Sequence, residues 1–151
     1  MNTNVKLMVV FGKMAHSFQE SLGKNLEELG MPYSVYPILA YLNEVKRAKT
    51  QKLGEVAAIS SGTITHTVSK LLKLNYVEKI QDDCDKRVFW IQITEEGKRK
   101  FMDVHLEHMD YLDELLNEFN EADKLTLIEL IKTFGKGIAK TVLTEKEKRT
   151  N

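Results

Sequence analysis

A mainly α fold carrying one small β-hairpin is predicted by three features of the chain. Apolar residues recur at three- and four-residue steps over long stretches near both ends, which is the spacing of buried helix faces. Two short helical patterns, Gln51–Ile59 and Ser61–Leu74, lie back to back in the middle. Two runs rich in β-branched and aromatic residues follow directly, Tyr76–Ile80 and Val88–Ile93, divided by the polar tip Gln81-Asp82-Asp83-Cys84-Asp85-Lys86-Arg87. Two helices running into a charged hairpin is the order of a winged helix-turn-helix. The expected architecture is therefore mainly α with a small β-hairpin wing, flanked by N- and C-terminal dimerisation helices.

The first helix is expected over about Lys6 to Leu29, where Leu7, Phe11, Met14, Phe18, Leu22, Leu26 and Leu29 form one stripe. Gly30-Met31-Pro32 should end it, because Gly tolerates the left-handed conformation and Pro cannot continue the hydrogen-bond ladder. A second helix, Tyr33–Val45, holds Pro37 near its first turn, where a missing N–H matters least. Lys46-Arg47-Ala48-Lys49 is expected as a basic linker, with Thr50 as N-cap of the next helix. After the hairpin, Thr94 caps a long helix whose first turn carries Glu95 and Glu96, favourable to the helix dipole. Phe101, Val104, His105, His108, Leu112, Leu115 and Phe119 carry that helix to about Asn120. Glu121-Ala122-Asp123 opens the last helix, with Leu127, Leu130, Ile131, Phe134, Ile138 and Val142 on one side. The expected domains are dimerisation helices at 1–32 and 120–145, a winged helix-turn-helix at 33–95, a connecting helix at 96–119 and a frayed tail at 146–151.

Composition narrows the function classes. The chain has 151 residues, 42% hydrophobic and 29% charged, which suits one small soluble module with appended helices. No apolar run is long enough to span a membrane, and the N-terminus lacks a signal-peptide core. A single cysteine cannot form an internal disulfide, which fits a reducing cytoplasm. The net charge is zero, but it is unevenly spread. Residues 1–45 hold 3 basic and 4 acidic side chains, residues 46–93 hold 9 and 5, and residues 94–151 hold 10 and 13. Positive charge collects on the central module, the electrostatic footprint expected of a nucleic-acid binder.

Within Ser61–Leu74, at about 100° per residue, Ile64, Val68, Leu71 and Leu72 share one arc. Gly62, His66, Ser69, Lys70 and Lys73 share the opposite arc, with Thr63, Thr65 and Thr67 at its margins. Short hydroxyls and long cations on one face suit a helix in a DNA major groove, although a merely solvated face has the same pattern. The candidate contacts are Ser61, Thr63, Thr65, His66, Ser69, Lys70 and Lys73. Lys86 and Arg87 at the hairpin tip can reach an adjacent minor groove, where narrow A·T-rich DNA attracts Arg. Asp85 would repel phosphate directly, but can orient Arg87 through a charge-assisted bond. In the returning strand, Phe89, Ile91 and Ile93 are expected to face the core, with Trp90 nearer the surface or under a neighbouring helix. The stripes on the first helix and the last two exceed what so small a module can cover, so a homodimer on a pseudo-palindromic operator is expected.

Several blocks together resemble the MarR family of bacterial winged-helix repressors. They are Leu53-Gly54-Glu55-Val56-Ala57, Thr63-Ile64-Thr65, Val68-Ser69-Lys70-Leu71, Tyr76-Val77-Glu78-Lys79, Asp85-Lys86-Arg87 and Ile93-Thr94-Glu95-Glu96-Gly97. The likeness extends over essentially the whole chain without insertions, and the Asp-x-Arg wing followed by Ile93–Gly97 is its most specific part. It departs from the family's pattern at His66 and Lys79, where Arg is frequent, and at Asn75, where Gly is frequent. The resemblance implies a homodimer with interlocked terminal helices, acting as a DNA-binding regulator in the bacterial cytoplasm and on the nucleoid. It also implies a small aromatic or lipophilic effector, held near Phe11, His16, Phe18, Tyr33, Tyr36 and residues near Phe101, although each of these also suits an ordinary core position.

Other chemistries find less support. His105 and His108 sit at i, i+3 but lack the further ligands of a metal site, so no metal or other cofactor is expected. Cys84 lies among Asp82, Asp83 and Asp85, which disfavour the thiolate that a redox sensor needs. No nucleophile–base pair, phosphate loop or paired acids suggests an enzyme. The alternative to a specific regulator is a winged helix used for protein contacts or non-specific DNA binding, which predicts strong salt dependence and no preferred sequence.

Overall fold

The computed structural model describes residues 2–150, with side chains described over residues 2–142. Its elements are α1 (Thr3–Glu28), α2 (Tyr36–Val45), β1 (Arg47–Ala48), α3 (Thr50–Val56), α4 (Ser61–Lys73), β2 (Val77–Gln81), β3 (Phe89–Ile93), α5 (Glu95–Leu115) and α6 (Glu121–Thr150). The chain divides into two compact units, Met1–Tyr111 and Leu112–Asn151.

In the first unit, α1 starts at Asn2, whose side-chain oxygen accepts the Asn4 N–H at 2.8 Å. It stops where Gly30 enters the left-handed region at φ 73°. There the Gly30 and Met31 amides donate to the Glu27 and Leu26 carbonyls, closing the last turn. Only the end of the α1 stripe is buried in this unit, at Leu22 and Leu26; Leu7, Phe11, Met14 and Phe18 are exposed. The second helix begins at Tyr36 rather than Tyr33, with Pro37 in its first turn. Ile38, Leu39 and Leu42 on its inner face are fully buried. Burial of each such side chain contributes roughly 1.5–3 kcal/mol. The core continues through Leu53, Ile64, Leu71, Val77, Ile91, Phe101 and Val104.

The segment expected as a basic linker is a third strand. Arg47 and Ala48 form β1, which pairs antiparallel with β3 so that Ala48 faces Ile91, and the sheet order is β1-β3-β2. Lys46 makes the sharp entry with φ 70°. Thr50 is the first helical residue of α3, not its cap; Lys49 occupies the N-cap position and supplies no side-chain bond. That helix ends at Val56, three residues before the expected end. Ala58 turns left-handed at φ 53° there, while the Ala58 and Ile59 amides satisfy the Glu55 and Gly54 carbonyls. Asn75 plays the same part after α4 at φ 56°, as its tolerance of that region predicts.

β2 and β3 pair from Val77↔Ile93 to Gln81↔Phe89. Ile91 and Ile93 point into the core, but Phe89 does not: at the outer end of the hairpin the strand has left the core behind, and the ring is exposed. The return into α5 is tightly fastened. The Thr94 hydroxyl donates to the Asn75 carbonyl at 2.6 Å and accepts the Gly97 N–H at 3.0 Å. A Cβ on Gly97 would lie 2.0 Å from the Tyr76 carbonyl oxygen, so only glycine fits this crossing.

α5 ends at Leu115, earlier than the expected Asn120. In the second unit the Asn120 side chain caps α6 by accepting the Asp123 N–H at 3.0 Å, with Glu121 and Asp123 in the first turn. Along α6, Leu127, Leu130, Ile131, Phe134, Ile138 and Val142 are all exposed. The stretch expected as a tail is helical in its backbone up to Thr150, and its side chains lie outside the described residues.

Candidate nucleic-acid interface

α4 is held at its start by Ser60, a cap not foreseen from the sequence, whose hydroxyl accepts the Thr63 N–H at 3.3 Å and bonds the Thr63 hydroxyl at 2.9 Å. Its inner face, Ile64, Val68 and Leu71, is buried. α3 passes close behind it at Gly54, where an added Cβ would meet Ile64 Cγ2 at 3.3 Å. The outer face is left to solvent. Ser61, Thr63, Thr65, His66, Ser69, Lys70 and Lys73 are all exposed, and Lys70 and Lys73 fall in the last turn, where the helix dipole favours cations. The threonines are not equivalent. Thr65 donates its hydroxyl to the Ser61 carbonyl at 2.9 Å, leaving its oxygen as an acceptor. Thr67 is buried, with its hydroxyl on the Thr63 carbonyl at 3.0 Å, and lies off the outer face.

The wing is ordered by its carboxylates. Asp85 accepts the backbone N–H of Arg87 at 3.0 Å and its guanidinium Nε at 3.2 Å, with the second guanidinium contact at 3.4 Å. The Arg87 amide and guanidinium hold the Asp85 carboxyl below its ordinary value. Both Lys86 and Arg87 are exposed. Asp82, which the sequence offered only as part of an acidic tip, has the larger structural role. One oxygen accepts the amides of Cys84 and Asp85, each at 3.0 Å, and the other accepts Trp90 Nε1 at 2.8 Å. Donation from the Asp85 amide, then from the indole and the Cys84 amide, lowers its pKa to about 2. Trp90 is half-buried, and the cations over its ring come from β1 and the N-cap position of α3. The Arg47 guanidinium lies 5.1 Å and the Lys49 ammonium 5.5 Å from its ring centroid. Lys79 stands 4.1 Å over the exposed Phe89 ring on the other strand. Cys84 is exposed and unbridged.

The residues expected around an effector do not gather in one recess among the described residues. His16 and Tyr33 line a shallow recess with Gln19, Glu20 and Gly23. Phe11 and Phe18 are exposed on α1. Tyr36 belongs to a separate cluster between α2 and α5, where its ring packs against Phe101 at 5.7 Å and His108 at 4.6 Å. Its hydroxyl bonds His105 Nδ1 at 2.8 Å, and burial raises its pKa. His108 is buried and bonds the Asn25 side chain at 2.6 Å; burial, with His105 nearby, lowers its pKa. The two histidines thus turn to separate hydrogen-bond partners.

Residues 36–116 match the family model of a winged helix DNA-binding domain. The chain is 34% identical over 120 residues to the HTH-type transcriptional regulator SarZ of Staphylococcus epidermidis, covering 78% of each. The chain belongs to the MarR family of winged-helix transcriptional regulators. It is also 25% identical over 132 residues to the HTH-type transcriptional regulator MhqR of Bacillus subtilis, covering 87% of this chain and 91% of the relative. AbsC, a MarR family transcriptional regulator from Streptomyces coelicolor, shares the fold with a TM-score of 0.81 at 18% identity, covering 92% and 96% of the two chains. A second MarR family regulator from that organism, solved in complex with DNA, does so at 0.79 and 22% identity, covering 91% and 93%. The protein is therefore a DNA-binding transcriptional regulator of a family whose members are not enzymes. Among the described residues, no helix is long and apolar enough to cross a membrane.

Proposed function

We propose that this MarR-family regulator is a homodimeric, sequence-specific repressor that leaves a pseudo-palindromic operator when a small aromatic or lipophilic ligand binds. It would act in the cytoplasm, on the nucleoid when bound to DNA. The observation that carries the DNA-binding part is the outer face of α4. Ser61, Thr63, Thr65, His66, Ser69, Lys70 and Lys73 are exposed there, opposite a buried apolar face, with a wing beside them whose Arg87 is steered by Asp85. The helix supplies contacts for a major groove, and Lys86 and Arg87 supply cations for the neighbouring minor groove.

Two copies are supported by the apolar side chains on the terminal helices. Leu7, Met8 and Val10 of α1 are 50%, 67% and 56% exposed, and Leu125, Leu130 and Ile138 of α6 are 57%, 63% and 50% exposed. So much apolar surface marks a partner site. Relief by a ligand is supported by the PcaV regulator of Streptomyces coelicolor, a fold neighbour at TM-score 0.73 that was solved with its natural ligand. A ligand favouring a dimer with the wrong half-site separation lowers operator affinity by population shift.

Fluorescence anisotropy on the DNA upstream of the protein's own gene, against a shuffled duplex at two salt concentrations, tests this. Preference for the native duplex that survives the higher salt is the expected result. Equal, salt-sensitive binding to both would favour non-specific binding instead.

A further inference from the structure

The wing tip carries Asp82, Asp83 and Asp85 beside Lys86 and Arg87, an arrangement that would repel phosphate if all the carboxylates pointed outward. Two of them are engaged by donors of the tip and its flanking strand. Asp85 is occupied by Arg87, and Asp82 takes the Cys84 and Asp85 amides together with the indole N–H of Trp90. The tip is further tied by the Asp82 amide on the Val88 carbonyl at 2.9 Å and by the Gln81 side chain on the Lys86 carbonyl at 2.7 Å. Trp90 stands on the central strand of the sheet, and its ring is covered by Arg47 and Lys49 from β1 and its border. The indole thus links the far edge of the sheet to the tip through a single carboxylate. The residue that Asp82 directly holds by its amide, Asp85, is the one that orients Arg87.

We propose that Asp82 and Trp90 are positioning residues of the wing: Asp82 folds the tip and pins the indole, the indole seats Arg47 and Lys49, and together they fix the direction in which Arg87 leaves the hairpin. This rests on the proposed contact between Arg87 and DNA. Asp82 then acts on DNA affinity through Arg87, not by touching DNA itself.

A double-mutant cycle on the full-length protein tests it, reading anisotropy on the upstream duplex and emission from Trp90, the single tryptophan. Arg87→Ala should weaken binding about tenfold, and Asp82→Ala should weaken it by a similar factor. The double variant should bind about as well as Arg87→Ala alone, because the two residues act in series. Trp90 emission should shift to the red in Asp82→Ala and stay unchanged in Arg87→Ala. Asp82→Asn, which keeps one oxygen for the amides of the tip, should recover part of the affinity if Asp82→Ala folds poorly. Trp90→Phe, which keeps a smaller ring for the cations and loses the N–H, should fall between wild type and Asp82→Ala.

If Arg87→Ala weakens binding but Asp82→Ala does not, or if the two losses multiply in the double variant, the positioning role is wrong. If Arg87→Ala binds like wild type, the wing contact itself is wrong, and the positioning role falls with it.

Discussion

Gly97→Ala sets two physical effects against each other with opposite signs. By helix propensity alone, alanine in the first turn of α5 should stabilise by up to about 1 kcal/mol. Packing predicts the reverse. The new methyl would sit 2.0 Å from the Tyr76 carbonyl oxygen, 2.8 Å from its carbon and 3.0 Å from Ile93 Cγ1, whereas ordinary contact begins at 3.4 Å. The oxygen must retreat by at least 1.4 Å, the difference between 3.4 and 2.0 Å, and it is backbone rather than a flexible side chain. The same oxygen accepts the Thr94 N–H at 3.1 Å, and Thr94 in turn bonds Asn75 and Gly97. Overpacking of this kind costs about 1–3 kcal/mol, and each hydrogen bond loosened costs about 1 kcal/mol more. The expected net loss is about 2–4 kcal/mol after the propensity gain. At about 2–4 °C per kcal/mol for chains of this size, Tm should fall by some 5–15 °C in a scan at fixed protein concentration. The same exchange at Gly62, where an added Cβ meets nothing within 4 Å, serves as the control and should leave Tm unchanged or slightly raised. A Gly97→Ala protein as stable as wild type would refute the steric account of this crossing.

Two further predictions concern charge. His108 is buried with its pKa lowered, so the folded state resists its protonation while the unfolded chain accepts a proton near its ordinary 6.5. Stability should therefore decline as pH drops below 6.5, and Tm measured from pH 7.5 to 5.5 should fall more in wild type than in His108→Gln; parallel curves would remove His108 as the cause. Lys70→Ala and Lys73→Ala should each weaken DNA binding and reduce the slope of log affinity against log salt by about 1, and unchanged slopes would mean that neither lysine meets phosphate.

The helical part of the fold was legible because periodicity records burial. Ile64, Val68 and Leu71 on one arc of α4 and the alternation of Ile91 and Ile93 are local patterns, and both predicted the buried side correctly. Long-range facts left weaker traces. β1 is two residues long, too short to alternate, and exists because β3 offers an open edge. Phe89 follows the alternation of its strand, yet a pattern gives only the face and not where the hairpin outgrows the core. Apolar spacing continued past Leu115, so the end of α5 could not be read from it. The outer face of α4 was visible residue by residue, except Thr67, whose hydroxyl turns back onto its own helix. Asp82 was hidden for a chemical reason: in sequence it is one acid among three, and only the folded turn brings two amides and an indole to it. Gly97 was recognisable within a motif, while its reason, a carbonyl oxygen from a residue 21 positions earlier, is wholly tertiary.

The central claim is that two copies of α4 and its wing read one stretch of duplex together. Hydroxyl-radical footprinting of the purified protein on its upstream DNA tests this most directly. Two protected patches related by a pseudo-two-fold axis are predicted, their centres one helical turn of about 10–10.5 base pairs or a multiple apart. Each should be flanked by minor-groove protection that disappears in Arg87→Ala. A single asymmetric patch, or protection spread evenly without regard to sequence, would contradict it.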